Sequence, residues 1–308
     1  MMKAAQLINE DGKQELEIKD VERPVVAEGK LLVEVHEAGV NPLDWKIAEG
    51  WYQAPTPVTM GGDFAGVIAE VGPGVSGLKP GDEVYGQAGF YNGGTGSFAQ
   101  YDLAEAASVA PKPKTLSEAE ASALPMAGMM ALQALTEQLR LGQGQMLLIQ
   151  GGAGGIGTIA IQLAKHLGAQ VAVTCAADEI DYVKSLGADE AIDFRARKFE
   201  EVVHDYDAVY DLVGGDVYRR SYQVLKPGGA IISSLERPDS ELMEKYGVTA
   251  IYQSFDVTTE RLNKLAELVD AGVIKIHVEK TFPLQEARDA LSYQENVHPK
   301  GKIVIDVK

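Results

Sequence analysis

The sequence predicts an α/β protein, in which a doubly wound parallel sheet sits between two β-rich stretches of chain. Three observations carry this. An apolar run at 146–149 leads into a glycine turn, then into Ile156, Ile159, Ala160, Leu163, Ala164 and Leu167 at helical spacing. Strand–helix units repeat downstream of it, the alternation of a parallel sheet. Before residue 120, short apolar runs are separated by Gly, Pro and Asp turns.

Taken in order, strands are expected at 3–8, 31–36, 67–71, 83–85 and 98–103, the pattern of a Greek-key barrel. Gly72-Pro73-Gly74 and Lys79-Pro80-Gly81-Asp82 supply turns between them. Ser117 caps a helix at 117–123, with Glu120 completing a capping box, and a second helix covers 126–139. After the glycine turn come strand 170–174, helix 179–186, strand 190–192, helix 199–203, strand 208–212, helix 217–225, strand 230–233 and a last strand at 249–255. Helix 260–271 follows, then a strand at 275–282, a short helix at 284–292 and a strand at 302–307. The C-terminal strands are expected to rejoin the first domain. That makes one domain of residues 1–122 with 258–308 and another of 123–257, with a ligand cleft at the carboxyl ends of the parallel strands.

The 308 residues carry a formal net charge of −17. Such a surface repels phosphate backbones and anionic lipid, which argues against nucleic-acid and membrane partners. One cysteine, Cys175, excludes an internal disulfide and a cysteine-rich zinc site. His36, His166, His204, His277 and His298 are scattered without ligand spacing. The N-terminus lacks a signal-like apolar core, and no apolar run approaches the roughly 18 residues of a membrane span. A cytoplasmic protein is the expectation.

Gly152, Gly154 and Gly157 fit G-x-G-x-x-G between a strand and a helix, the fingerprint of a dinucleotide site. One glycine permits the turn, one lets backbone approach a pyrophosphate, and one lets helix pack close to strand. With Gly155 and Ile156, they put the positive end of the helix dipole against the phosphates. NAD-selective sites carry an acid about 20 residues on. Here that stretch is Val173-Thr174-Cys175-Ala176-Ala177, with no acid and with the Thr174 hydroxyl to offer a 2′-phosphate, which favours NADPH. Asp178 and the lack of Lys or Arg before Lys184 point the other way, so NADH stays the alternative.

Several motifs together resemble the medium-chain dehydrogenase/reductase superfamily, and within it the zinc-free quinone oxidoreductase, or zeta-crystallin-like, branch. They are Ala38-Gly39-Val40-Asn41-Pro42-Leu43-Asp44, Gly61-Gly62-Asp63-Phe64-Ala65-Gly66-Val67, Gly81-Asp82-Glu83-Val84, Leu124-Pro125, the 151–157 glycine loop, Lys184-Ser185-Leu186-Gly187-Ala188-Asp189, Lys226-Pro227-Gly228-Gly229 and Gly301-Lys302. The resemblance covers essentially the whole chain. It implies a GroES-like β-barrel domain beside a Rossmann domain. Zinc-dependent relatives place a cysteine where Asn41 stands and His-Glu where Gly62-Asp63 stands, so the resemblance implies no catalytic zinc.

Without zinc, the hydride acceptor must already be electrophilic, as quinones and α,β-unsaturated carbonyls are. The resemblance implies that Asn41 lies beside nicotinamide and substrate and donates to an oxyanion; as residues alone, Asn-Pro is also a turn signal. Tyr52 is implied either to orient substrate or supply a proton, or to serve as an aromatic wall or lid. Asp44 is implied to orient the loop rather than to transfer a proton. Phe194 stands where many NADPH-using relatives carry tyrosine, with Arg195 and Arg197 available to compensate. Cys175, Leu212, Val213, Ser233, Ser234, Tyr252, Gln253 and Ser254 are carried over as further cofactor contacts. Met130 replaces a threonine common in relatives. Phe90 and Tyr91 either line the pocket with Tyr52 or belong to an exposed loop.

The leading expectation is an NADPH-dependent, zinc-independent reductase of quinones or enones. The alternatives are an enoyl-thioester reductase and a non-catalytic NADPH-binding sensor or structural protein. Strand 249–255 would be an open sheet edge, implying a homodimer.

Overall fold

The computed structural model describes residues 1–10 and 13–308. The chain divides into two units, one of Met1–Met129, Val257–Gly272 and Ile276–Lys308, the other of Met130–Asp256 and Val273–Lys275.

In the first unit, β1 (Met2–Glu10) pairs antiparallel with β2 (Lys13–Val21) on one side and with the two-residue β4 (Val58–Thr59) on the other. β2 was not expected, because its alternating Leu16 and Ile18 are set among charges. The larger sheet is built around β3 (Lys30–Gly39), which pairs with β5 (Asp63–Val71) and with β7 (Tyr101–Glu105). β6 (Glu83–Gln87) and β8 (Val109–Pro111) extend it beyond β5. On its other side β16 (Lys302–Asp306) lies antiparallel to β3, with β15 (Val278–Pro283) parallel to β16. Phe64, Phe98, Met60, Leu31, Ile303 and Ile305 are among the fully buried residues of the shared core.

Among the described residues five α-helices begin in or belong to this unit. α1 (Pro42–Ala48) lies where only a turn was foreseen. Asn41 is its N-cap, Pro42 opens it, and the Asp44 carboxylate accepts the Asn41 N–H at 2.7 Å. α2 (Glu118–Ser122) is capped as expected, with Ser117 Oγ accepting from the Glu120 N–H and the Glu120 carboxylate accepting from the Ser117 N–H. The expected helix at 126–139 is instead α3 (Pro125–Leu132) followed by a π-helical stretch, Gln133–Gln138. Thr136 Oγ1 donates back to the Leu132 carbonyl there. α8 (Thr259–Asp270) is held by Tyr85, whose buried hydroxyl donates to the Leu262 carbonyl at 2.6 Å. α9 (Ala287–Asn296) starts after a one-turn 3-10 helix.

The second unit is a six-stranded parallel sheet in the order β11-β10-β9-β12-β13-β14. Its strands are β9 (Met146–Gln150), β10 (Gln170–Cys175), β11 (Glu190–Asp193), β12 (Tyr206–Asp211), β13 (Leu225–Ser233) and β14 (Thr249–Tyr252). β14 is the edge, as expected, but it stops at Tyr252 rather than Phe255. The helices are α4 (Gly155–His166), α5 (Ile180–Ser185), α6 (Gly215–Ser221) and α7 (Ser240–Tyr246). Residues 199–203 form only a single 3-10 turn. α7 was not foreseen; Asp239 caps it through the Glu241 and Leu242 N–H groups, and Gly247 at φ 65° ends it. Among the described residues no helix is long and apolar enough to cross a membrane.

One buried carboxylate organises the 89–97 turn of the first unit. Asp102 is fully buried, and its Oδ1 accepts from Thr95 N at 3.0 Å and Thr95 Oγ1 at 2.8 Å. Burial outweighs those bonds and pushes its carboxyl up to about 7. The folded protein therefore keeps a proton that the unfolded chain has already lost, so this contribution to stability is greatest below the ordinary carboxylate range and falls as pH rises toward 7. Denaturant melts across that range are expected to show stability declining with pH, and Asp102→Asn to flatten part of the decline.

Candidate functional site

In the second unit the strands bring their carboxyl ends into one row. Gln150, Asp211, Ser233 and Tyr252 are aligned neighbours across β9, β12, β13 and β14. From Gln150 the chain turns into α4. The residue that needs the left-handed backbone is Gly151, at φ 78°, one position before the G-x-G-x-x-G. Gly152 leaves room for Val173, whose Cβ would lie 2.6 Å from a Cβ added at 152. A Cβ at 157 would come within 2.5 Å of the Gly151 carbonyl oxygen and 2.7 Å of the Gly152 one, so only glycine lets α4 start this close to β9.

Gly154 differs. A Cβ there would meet nothing nearer than the Gly151 oxygen at 3.7 Å, so the space it faces is open. It is also the N-cap of α4 and offers no side chain, which leaves the first-turn N–H groups of Gly155, Ile156 and Gly157 available to an anion. These residues fit a dinucleotide pyrophosphate.

Three expected contacts have other employment. The Thr174 hydroxyl donates to Gln150 Oε1 at 2.8 Å and accepts from Gly151 N at 3.0 Å. It braces the glycine turn, and its proton is not free for a 2′-phosphate, contrary to expectation. The Gln253 side chain is buried, accepting from Tyr210 Oη at 2.9 Å and donating to the Met130 carbonyl at 2.7 Å. Ser233 Oγ donates to Asp211 Oδ2 at 2.7 Å. The buried Asp211 carboxylate also accepts from the Val213 and Gly214 N–H groups, so it shapes the two loops where Leu212, Val213 and Ser234 lie. Asp211 was missed in the sequence, although an acid ending a parallel strand before Gly214-Gly215 is a usable signal.

At the end of β10, Cys175 is buried and its thiol is pushed up to about 11, first by burial and then by Glu179, Asp193 and Asp178. The local field is acidic. Phe194 is exposed beside it, and the Arg195 guanidinium lies 5.1 Å from its ring centroid. Among the described residues neither Arg195 nor Arg197 has an ion-pair partner. Tyr252 and Ser254 are exposed, and the Arg237 guanidinium lies 4.9 Å from the Tyr252 ring.

In the first unit Asn41 and Asp44 belong to a buried polar network, while Tyr52 does not. Asn41 is 3% exposed. Its Nδ2 donates to Asp63 Oδ2 at 2.9 Å, and its Oδ1 accepts from Lys302 Nζ at 2.5 Å. Lys302 also donates to the Val40 carbonyl at 2.6 Å. Asp63 is fully buried and further accepts from Met126 N at 3.0 Å and Gln87 Nε2 at 3.1 Å. Burial pushes Asp63 up and Lys302 down, and each is the leading counterweight to that burial for the other. Asp63 faces only donors, which suits the ionised carboxylate. Asp44 is pushed up to about 7, chiefly by burial.

Tyr91 closes one side of this group. Its hydroxyl occupies the space a side chain at Gly62 would need, and its ring lies 2.6 Å from a Cβ added at Gly89. Burial, then Asp44, Asp63 and Asp102, push the phenol well above its ordinary range. Its side chain nonetheless stays 36% exposed, in the 3-10 turn Phe90–Asn92. Tyr52 is half exposed and has no hydrogen bond among the described residues. Its neighbour Trp51 stacks edge-on against Trp45 at 5.5 Å.

Residues 27–114 match the family model of the alcohol dehydrogenase GroES-like domain, and 186–305 match that of the zinc-binding dehydrogenases. The chain is 38% identical over 295 residues to the 2-methylene-furan-3-one reductase of Solanum lycopersicum, an alignment covering 92% of this chain and 73% of that protein. It is 34% identical over 300 residues to the chloroplastic NADPH-dependent alkenal/one oxidoreductase of Arabidopsis thaliana, with 92% and 73% covered. The quinone oxidoreductase structure from Coxiella burnetii matches with a TM-score of 0.89 at 33% identity, over 100% of this chain and 99% of that one. The chain belongs to the medium-chain dehydrogenase/reductase superfamily, with the quinone oxidoreductases. It is an oxidoreductase with a GroES-like domain and a Rossmann sheet.

Membership in a family with a zinc-binding model raises the question of whether these residues suit zinc. Among the described residues no group of three or more His, Cys, Asp or Glu side chains could hold a metal ion. The Lys302 ammonium already sits against Asn41, and the Tyr91 hydroxyl fills the space beside Gly62. A cation bearing two charges would meet an ammonium and an amide where it needs ligands.

The tight approach at Gly157 gives a direct check on the nucleotide cradle. Gly157→Ala is expected to weaken binding of reduced nucleotide, read by fluorescence titration, and to destabilise the fold by about 1–3 kcal/mol.

Proposed function

We propose that this chain reduces quinones or α,β-unsaturated carbonyl compounds with NADPH and without a catalytic metal. The observation that carries the reading is that the chain has an open glycine cradle in one unit and a buried Lys302–Asn41–Asp63 network in the other, with Asn41 and Asp63 at positions where the resemblance puts metal ligands of zinc-dependent relatives. The names of the similar plant enzymes, a 2-methylene-furan-3-one reductase and an NADPH-dependent alkenal/one oxidoreductase, support it.

Bound nicotinamide would supply the hydride. The chain's own part is to position, to exclude water and to stabilise charge. Gly154, Gly155, Ile156 and Gly157 bind pyrophosphate through backbone N–H groups. Asp211 and Ser233 hold the loops after β12 and β13. Reduction of an enone at its β-carbon moves an electron pair to the carbonyl oxygen, and Asn41 Nδ2 has a second N–H, beyond the one given to Asp63, to donate there. Solvent can protonate the enolate or quinolate, so no obligatory acid is assigned, and Asp44 serves as the cap that sets the Asn41 backbone.

The test is NADPH oxidation in the presence of 9,10-phenanthrenequinone or a small enone. Turnover is expected with both kinds of acceptor and is expected to survive EDTA; loss of activity on chelation would overturn the metal-free reading.

Preference for NADPH over NADH is assigned to Arg195, which lies over Phe194 and has no ion-pair partner among the described residues. Arg195→Ala is expected to raise the KM for NADPH severalfold and leave that for NADH nearly unchanged. Thr174→Val is expected to lower stability without altering that preference, since its hydroxyl is spent on Gln150 and Gly151.

A homodimer joined through the open edge of β14 completes the reading. Solution scattering at micromolar concentration is expected to give twice the chain mass, and a monomer mass would remove it.

A further inference from the structure

We infer that Lys302 is a positioning residue for the reaction: with Asp63 it fixes which end of the Asn41 amide is spare, so that an N–H and not a carbonyl oxygen is presented to the substrate. The inference rests on the proposed role of Asn41 as the oxyanion donor and adds the reason that donor faces the right way.

The two ends of an asparagine amide have nearly the same shape and opposite hydrogen-bonding character. Which end faces a ligand depends on what the other end is offered. In this network each end has a charged partner. Oδ1 takes a hydrogen bond from the Lys302 ammonium at 2.5 Å, and Nδ2 gives one to the Asp63 carboxylate at 2.9 Å. A flipped amide would set NH2 against NH3⁺ and carbonyl oxygen against carboxylate. Both encounters are repulsive, and both occur in a site where Asn41, Asp63 and Lys302 are each 5% exposed or less, so solvent does little to screen them.

Lys302 acts in a second way. Asp63 pulls on Nδ2 firmly only while ionised, and the Lys302 ammonium is the chief group holding it so against burial. Asp44 and the Tyr91 hydroxyl lie in the same field and add negative charge and a poorly acidic phenol, not a compensating cation. Without Lys302, a protonated Asp63 would be able to donate as well as accept, and the amide would lose both of its constraints. The Val40 carbonyl, the third partner of the ammonium, anchors Nζ one residue before Asn41 and sets its distance.

The experiment is a double-mutant cycle on the full chain: Asn41→Ala, Lys302→Met and the pair, each assayed for kcat and KM with 9,10-phenanthrenequinone and for NADPH affinity by titration. Asn41→Ala is expected to lower kcat about 100-fold, as loss of one oxyanion donor does. Lys302→Met is expected to lower kcat about tenfold with NADPH affinity unchanged, and to cost nothing more once Asn41 is gone. Losses that multiply in the pair, or an unchanged kcat in Lys302→Met beside an impaired Asn41→Ala, would overturn the role of Lys302 alone. An unchanged kcat in Asn41→Ala would instead overturn the donor role of Asn41, and this inference with it. Should Lys302→Met fail to fold because Asp63 is left unpaired, Lys302→Met/Asp63→Asn removes both charges together. Its kcat is then expected to be low and insensitive to adding Asn41→Ala, and a wild-type kcat overturns the inference.

Discussion

A buried ammonium is the constraint around which the first unit is arranged. Taking Lys302 out of water is costly unless every proton on Nζ finds an acceptor and a carboxylate lies nearby. Two of those protons go to the Val40 carbonyl and Asn41 Oδ1, and the fields of Asp63 and Asp44 offset part of the cost of burial. Asp63 in turn needs donors, and takes them from β6 through Gln87, from α3 through Met126 and from the cap of α1 through Asn41. One charge thereby fixes the relation of β16, α1, β5, β6 and α3. The same relation sets the amide on which the proposed chemistry depends, so stability and reactivity share their parts.

The glycine loop obeys a different rule. It has no charge of its own and works by what it leaves out. Gly152 and Gly157 are small because Val173 and two carbonyl oxygens stand where side chains would be, while Gly154 is small with nothing against it. Only the last kind of vacancy suits a ligand. Thr174 and Gln150 then stiffen the turn from beneath, which is why a hydroxyl at the end of β10 serves the loop rather than a 2′-phosphate.

Much of this was legible in the sequence. Alternating strands and helices, the Ser117–Glu120 box and the glycine spacing are local signals, and the structure follows them closely at β9, α4, β10 and α2. What escaped was of two kinds. Some local signals were underread: Asn41-Pro42 with Asp44 starts a helix as well as a turn, and Asp239 announces α7. The rest is not local. Lys302 and Asn41 are 261 positions apart, and the Tyr91 hydroxyl lies over Gly62 only because the 89–97 turn folds back. No window of sequence holds either contact. Family resemblance located Asn41 but not what holds it.

The placement of β16 has a consequence for how the protein is made. β3 and β5 leave the ribosome early, carrying between them Asn41 and Asp63, while the strand bearing their cation follows only after the whole parallel sheet has been synthesised. Until then the nascent barrel holds a carboxylate with no counter-ion, and residues 37–39 of β3 lack their partner strand on one side. Synthesis order thus makes the nucleotide sheet the first body able to finish folding, and the barrel the one that waits.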